Sequence, residues 1–222
     1  MKKVILTGVS DGLGKEIAAL LLEKGYAVVG ISRSKPEDKR IAHIVADITN
    51  EKQLAGVIKD IKENHRDFSA LINCAGIFFE EKFEALTYEA LRVTLETNVI
   101  APMMLVSGLA DLIKKNEADV VNVASTVAYK AFVDQAAYGA SKWALRGFSE
   151  NLRMEMKETR CRVINFCPGA FQSRFTQKHT DVGDIDLSPY MRPKNVAQVL
   201  INILEIAKDV EVSDIIINRK KK

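Results

Sequence analysis

Cysteine is scarce in this sequence. There are three, Cys74, Cys161 and Cys167, and none stands at the spacing of a metal-binding pair. A secreted disulfide scaffold carries its cysteines more densely and in even number, so free thiols in a reducing, cytoplasmic compartment are expected. Long apolar runs are also missing: nowhere do ~18 apolar residues follow one another, which argues against a helical membrane span. At the N-terminus Lys2 and Lys3 precede only Val4, Ile5 and Leu6 before Thr7 and Gly8. That run is too short for the apolar stretch of a secretory signal and suits a buried strand. Charge of one sign is scarce too. With 32 Lys and Arg against 29 Asp and Glu the net charge is +3, too little for a nucleic-acid-binding stripe. The one basic run, Arg219 to Lys222, reads as a solvated tail. His43, His65 and His179 share no spacing with one another or with acids that would build a metal site.

What the sequence does have is alternation. Its 222 residues, 47% hydrophobic and 27% charged, suit one sizeable core and a single domain over residues 1–222. Short β-branched apolar runs take turns with longer segments of helical period, the pattern of repeated βαβ units. Strands are expected at Val4 to Thr7, Ala27 to Ser32, His43 to Ala46, Ala70 to Cys74, Val120 to Ala124, Arg162 to Cys167 and Ile215 to Ile217. Between the first two, Ile17, Leu20, Leu21 and Leu22 repeat at helical spacing, with Gly25 where a C-terminal cap belongs. Further helices are expected at Lys52 to Glu63, Tyr88 to Lys115 with a break or kink at Pro102, Ala140 to Glu158 and Lys194 to Lys208. The fold class is therefore α/β, a doubly wound parallel sheet of Rossmann type with about seven strands and helices on both faces. The least patterned stretch, 169–192, reads as a substrate or lid loop.

The first expected strand ends in Thr7-Gly8-Val9-Ser10-Asp11-Gly12-Leu13-Gly14 and runs straight into the first helix. Gly8 can make the tight turn, Gly12 lets the backbone approach a pyrophosphate, and Gly14 lets helix and strand pack closely. The helix start then offers N–H groups and a positive dipole end to the anion. Placed at the end of the first strand of a βαβ unit, this is a dinucleotide site. NAD sites hold the ribose hydroxyl with an acid about 20 residues further on. Here the second strand ends in Ser32-Arg33-Ser34, and Arg33 can instead pair with the 2′-phosphate of NADP.

Tyr138 and Lys142 stand four residues apart, on one face of a helix. A nearby ammonium favours the phenolate, so Lys142 is expected to turn Tyr138 into a usable general acid/base. Alone, such a pair is ordinarily an amphipathic helix with a snorkelling lysine. Together with the glycine turn and Ser125, 13 positions before Tyr138, it resembles the short-chain dehydrogenase/reductase family over nearly the whole chain. Asn98 matches the asparagine that completes the family's tetrad, and Asn73-Cys74-Ala75-Gly76 is similar to its Asn-Asn-Ala-Gly turn. Pro168-Gly169 with Ser173, across Phe171, resembles its segment near the nicotinamide, and Asp47-Ile48 its adenine contact. Cys74 and Ser173 depart from the usual asparagine and threonine.

The resemblance implies that Ser125 holds the substrate oxygen, Tyr138 exchanges a proton with it, and hydride passes between nicotinamide C4 and the carbonyl or alcohol carbon. Lys142 would also hold the nicotinamide ribose, and Asn98 would position a water that links Lys142 to solvent. It implies a homodimer or homotetramer built through the helix of Tyr138. Phe132, Phe171 and Met191 are pocket candidates, Phe78, Phe79 and Phe83 core or subunit-contact candidates, and Arg174 and Lys178 cations that could meet an anionic substrate. A competing reading is a non-catalytic NADP-binding sensor or scaffold.

Overall fold

A computed structural model describes residues 1–173 and 186–220. Arg174, Lys178 and His179, the middle of the expected 169–192 loop and Lys221 and Lys222 lie outside the described residues. Seven strands form one parallel sheet: β1 (Lys3–Thr7), β2 (Ala27–Ser32), β3 (Ala42–Val45), β4 (Ala70–Asn73), β5 (Asp119–Val123), β6 (Val163–Pro168) and β7 (Asp214–Ile217), in the spatial order β3-β2-β1-β4-β5-β6-β7. All seven expected strands are present within a residue of their expected ends.

Burial on both sides is why the inner strands β1, β2, β4, β5 and β6 are mostly apolar rather than alternating, while the edge strands β3 and β7 are only partly buried. Successive side chains point to opposite faces, so Val4, Leu6 and Ile72 join one core while Ile5 and Leu71 join the other. The first core is closed by α1 (Gly12–Glu23) and α7 (Pro193–Leu204) through Ile17, Leu21, Leu200 and Ile201. The second lies under α2 (Glu51–Asn64), α4 (Ala101–Gly108), α5 (Ala110–Lys115) and α6 (Ala136–Glu155), through residues such as Val57, Leu105, Ile113 and Leu152. Gly25 ends α1 as expected, at φ 80°, with its N–H on the Leu22 carbonyl and that of Tyr26 on the Leu21 carbonyl. This paired cap satisfies carbonyls the helix would leave open.

The stretch expected as one helix from Tyr88, broken at Pro102, is divided otherwise. It forms α3 (Tyr88–Leu95), a π-helical turn over Glu96–Ile100, then α4 and α5, separated at Leu109. Pro102 sits in the first turn of α4. It has no N–H to close the usual bond four residues back, and the widening falls in the turn before it. Helix α6 starts at Ala136 rather than Ala140, which places Tyr138 inside its first turn.

At the opposite end of the sheet from the glycine turn, Arg162 and Asp119 are both buried and paired twofold, Nε to Oδ1 at 3.0 Å and Nη2 to Oδ2 at 2.7 Å. The guanidinium also donates to the Ile203 and Ile206 carbonyls at the end of α7, and Lys208 reaches Asp119 Oδ1 at 2.5 Å. This group ties the end of α7 to the starts of β5 and β6.

Candidate active site

The strand order reverses at β1, between β2 and β4, and in doubly wound sheets that is where a crevice opens at the carboxyl strand ends. A cleft of about 1110 Å³ occupies that place. Its floor is the glycine turn. A Cβ on Gly8, which sits at φ 75°, would lie 2.9 Å from Ala75 Cα, and one on Gly14 would collide with the Gly8 carbonyl. At Gly12 an added side chain would meet only open space. The Thr7 hydroxyl takes the Cys74 and Ala75 N–H groups at 3.0 and 2.9 Å, which locks the β4 turn against β1. The result is a backbone cradle that a dinucleotide pyrophosphate fits.

The cleft wall includes Gly8, Ser10, Asp11, Gly12, Leu13 and Gly14, then Ser32, Arg33, Ser34, Asp47 and Ile48, then Ala75, Gly76, Ser125, Tyr138, Lys142, Pro168, Gly169, Phe171 and Ser173. At the β2 end, the Ser32 hydroxyl donates to the Ser34 carbonyl at 2.8 Å and shapes the turn that carries Arg33. Arg33 is exposed, with Nη1 4.0 Å from Asp47 Oδ2. Burial pushes the Asp47 carboxyl up, but hydrogen bonds from Thr49 and the charge of Arg33 outweigh it, and the group is held below its usual range.

Ser125 leaves the end of β5 and lines the cleft beside Tyr138, its hydroxyl near enough to act on the ionisation of the phenol. Both side chains are buried. Lys142 lies one turn after Tyr138, with Nζ 5.6 Å from the Tyr138 ring centroid and donating to the Val123 carbonyl at 3.0 Å. Burial pulls its ammonium down to about 8. The nearby thiols are pushed up by burial, Cys74 to about 12 and Cys167 to about 11, and stay neutral. The phenol of Tyr138 is likewise pushed up by burial, to about 12, with the Ser125 hydrogen bond acting the other way. This differs from the expectation that Lys142 favours the phenolate at neutral pH. Desolvation is the largest influence on the phenol; it favours the proton-bearing form and outweighs the Ser125 hydroxyl.

Two expected site residues do not line the cleft. Asn73 is buried within the sheet, where its Nδ2 donates to Asn122 Oδ1 at 2.8 Å, and Asn122 in turn donates to the Ser149 hydroxyl. Asn73 and Asn122 are register partners on β4 and β5 and share a face of the sheet, a pairing the sequence does not show. Asn98 is buried in the π-helical turn. Its side chain accepts from the Ile77 N–H at 2.9 Å and donates to the Ile77 carbonyl and to the Ser141 hydroxyl. It joins the loop after β4 to the turn of α6 that lies between Tyr138 and Lys142.

A family model described as short chain dehydrogenase matches residues 2–182. The chain belongs to the short-chain dehydrogenase family. It is therefore an NAD(P)-dependent oxidoreductase of CH–OH and C=O groups. This short-chain dehydrogenase is 30% identical over 209 residues to carbonyl reductase family member 4 of Xenopus laevis, with 89% of each chain covered. Its fold superposes on an alcohol dehydrogenase from the archaeon Thermococcus sibiricus complexed with 5-hydroxy-NADP, at TM-score 0.88 and 21% identity over 100% of both chains. It also superposes on a 4-hydroxyisoleucine dehydrogenase complexed with NADH, at TM-score 0.87 and 21% identity, covering 98% and 97% of the two chains.

Several residues of the dehydrogenase's cleft carry no sequence signal. Phe78, read as core or subunit contact, packs edge-on against the Tyr138 ring with centroids 4.9 Å apart and also lines the cleft. Glu80, Glu89, Arg92, Val127, Gln135, Leu187 and Tyr190 line it as well. Of the pocket candidates, Phe132 and Phe171 reach the wall, whereas Met191 pairs with Phe171 through the backbone instead. Thr7 had a legible signal: a hydroxyl at the strand end just before the glycine turn is placed to take N–H groups from the next strand's end.

Proposed function

We propose that this short-chain dehydrogenase is an NADP-dependent carbonyl reductase or alcohol dehydrogenase with Tyr138 as its general acid/base. The observation that carries the reading is convergence on one cleft of the Ser125–Tyr138 hydroxyl pair, the Lys142 ammonium behind it and the glycine cradle. Gly8, Ser10 and the Asp11-to-Gly14 turn would hold the pyrophosphate, and Asp47 and Ile48 the adenine side. Ser32, Arg33 and Ser34 would take the 2′-phosphate. Ala75, Gly76, Lys142, Pro168, Gly169, Phe171 and Ser173 would enclose the nicotinamide half. When bound, the nicotinamide supplies or takes up the electron pair that the carbonyl carbon gains or loses.

The protein's own part is proton placement and orientation. Ser125 holds the substrate oxygen within reach of Tyr138. As negative charge builds on that oxygen, the protonated Tyr138 hydroxyl gives up its proton to it. The phenolate left behind faces the Lys142 ammonium, which stabilises it most when that group is charged. The Asn98 side chain, bonded to Ile77 and Ser141, would position a water that links Lys142 to solvent. In this reading residues 1–222 act as one dinucleotide-binding domain and 169–192 as its substrate loop.

The NADP preference rests on Arg33. A hydrogen bond to a charged group contributes about 1.5–3 kcal/mol, so Arg33→Ala weakens NADPH binding by about ten- to a hundredfold and leaves NADH binding nearly unchanged. Fluorescence titration with both cofactors measures this. Equal affinity of the unaltered protein for NADPH and NADH ends the preference.

Assembly into a homodimer or homotetramer is supported by exposed apolar side chains: Ile100, Met103 and Met104 on one side of the α4 region, and Trp143 and Met154 on α6. Light scattering decides the oligomeric state. Among the described residues no helix is long and apolar enough to cross a membrane, and three cysteines without a disulfide support a cytoplasmic setting.

A further inference from the structure

Beyond the Ser125–Tyr138 pair, the cleft continues into a space whose wall changes character. Phe78, Val127 and Tyr138 pack together as a buried cluster. Phe132, from the loop before α6, and Leu187 and Tyr190, from the segment before α7, complete an apolar wall. Phe132 leaves about half its surface open (47%) at the edge of this wall.

Apart from the Lys142 ammonium behind Tyr138, the charge at the outer rim on this side is carried by carboxylates. Glu81 pairs through the backbone with Gln135, so the segment from Phe78 to Glu81 runs beside the start of α6, and Glu80 lines the cleft there. Arg92 also lines it, but its guanidinium is held by Glu89 at 2.7 Å and by Glu96 at 2.7 Å, so its charge is cancelled. Glu80 has no ion pair among the described residues. Lys130 stands 5.2 Å from the Phe132 ring centroid but is not part of the cleft wall. The described rim of the substrate space therefore combines aromatic surface with an uncompensated carboxylate.

We propose that the substrate is a neutral carbonyl compound with an apolar, ring-sized group beside the carbonyl, and that Glu80 turns away the anionic counterparts. This rests on the reading that Ser125 and Tyr138 mark the reacting end. The apolar wall favours the ring by burying it, and the carboxylate acts as a repulsive element against a negative substrate, the second half of specificity.

A close pair tests it: ethyl benzoylformate and benzoylformate share the ketone and the ring and differ in one ethyl group and one negative charge. NADPH consumption is followed with each, and with hydroxyacetone as a small polar ketone. The ester is expected to exceed the acid by at least about tenfold in kcat/KM, and hydroxyacetone to fall below the ester. In Glu80→Gln the ester-to-acid ratio narrows, while NADPH titration shows that the variant is folded. An acid turned over as well as the ester, a ratio unmoved by Glu80→Gln, or hydroxyacetone as the best of the three overturns the proposal and leaves the Tyr138 reading standing. Failure of all three ketones to consume bound NADPH overturns both.

Discussion

Tyr138→Phe binds NADPH as the unaltered protein does and loses turnover by roughly a hundred- to ten-thousand-fold, the usual contribution of a positioned acid or base. The substitution removes one oxygen and leaves the ring, so the edge-on contact with Phe78 at 4.9 Å survives. What disappears is the proton that burial keeps on the phenol, together with the partner of the Ser125 hydroxyl. Steady-state rates beside a cofactor titration check this, and a variant that keeps most of its kcat removes Tyr138 from the chemistry. A pH dependence accompanies it. Burial pulls the Lys142 ammonium down to about 8, so its charge is present below that pH and lost as the pH rises through it. The phenolate formed when Tyr138 gives up its proton then loses its stabilising neighbour. Carbonyl reduction is therefore expected to decline above about pH 8, and Lys142→Met to abolish that limb along with most of the rate.

Asp119→Asn is expected to destabilise the fold by about 3–5 kcal/mol, the cost of removing one partner from a buried ion pair. The change is nearly isosteric, so no cavity contributes. It leaves the Arg162 guanidinium with side-chain exposure of 2% and without a counter-charge, and Lys208 beside it. For a chain of this size that is a fall in Tm of roughly 6–20 °C, read by thermal unfolding. Adding Arg162→Met should recover part of it, because it removes the buried charge left without a counter-charge. Full recovery is not expected, since Arg162 also donates to the Ile203 and Ile206 carbonyls at the end of α7. A single variant within about 1 kcal/mol of the unaltered protein would show the pair to be dispensable. The site lies at the far end of the sheet from the cleft, so kcat of the folded fraction should hold.

Much of the architecture was legible in the residues because two-sided burial writes itself as short apolar β-branched runs. Val4 to Thr7 and Ala27 to Ser32 could be placed closely for that reason. The glycine turn was legible on similar grounds: Gly8 and Gly14 stand where any Cβ would strike backbone. The Pro102 break was displaced because a proline marks a missing donor, while the turn that absorbs the defect depends on what packs around it. Here that is the Glu96–Ile100 turn, whose Asn98 is bonded to Ile77 and Ser141.

The sequence by itself determined the alternation of strands and helices, the glycine turn and the spacing of Ser125, Tyr138 and Lys142, because these rest on neighbours along the chain. The tertiary structure decided which side chains face one another across it: Asn73 turned into the sheet toward Asn122, Phe78 set against Tyr138, and Glu80 brought to the rim beside the start of α6. It also decided the protonation of Tyr138. The sequence shows a lysine four residues away, which favours the phenolate, but only the packed structure shows how far water is excluded from the ring.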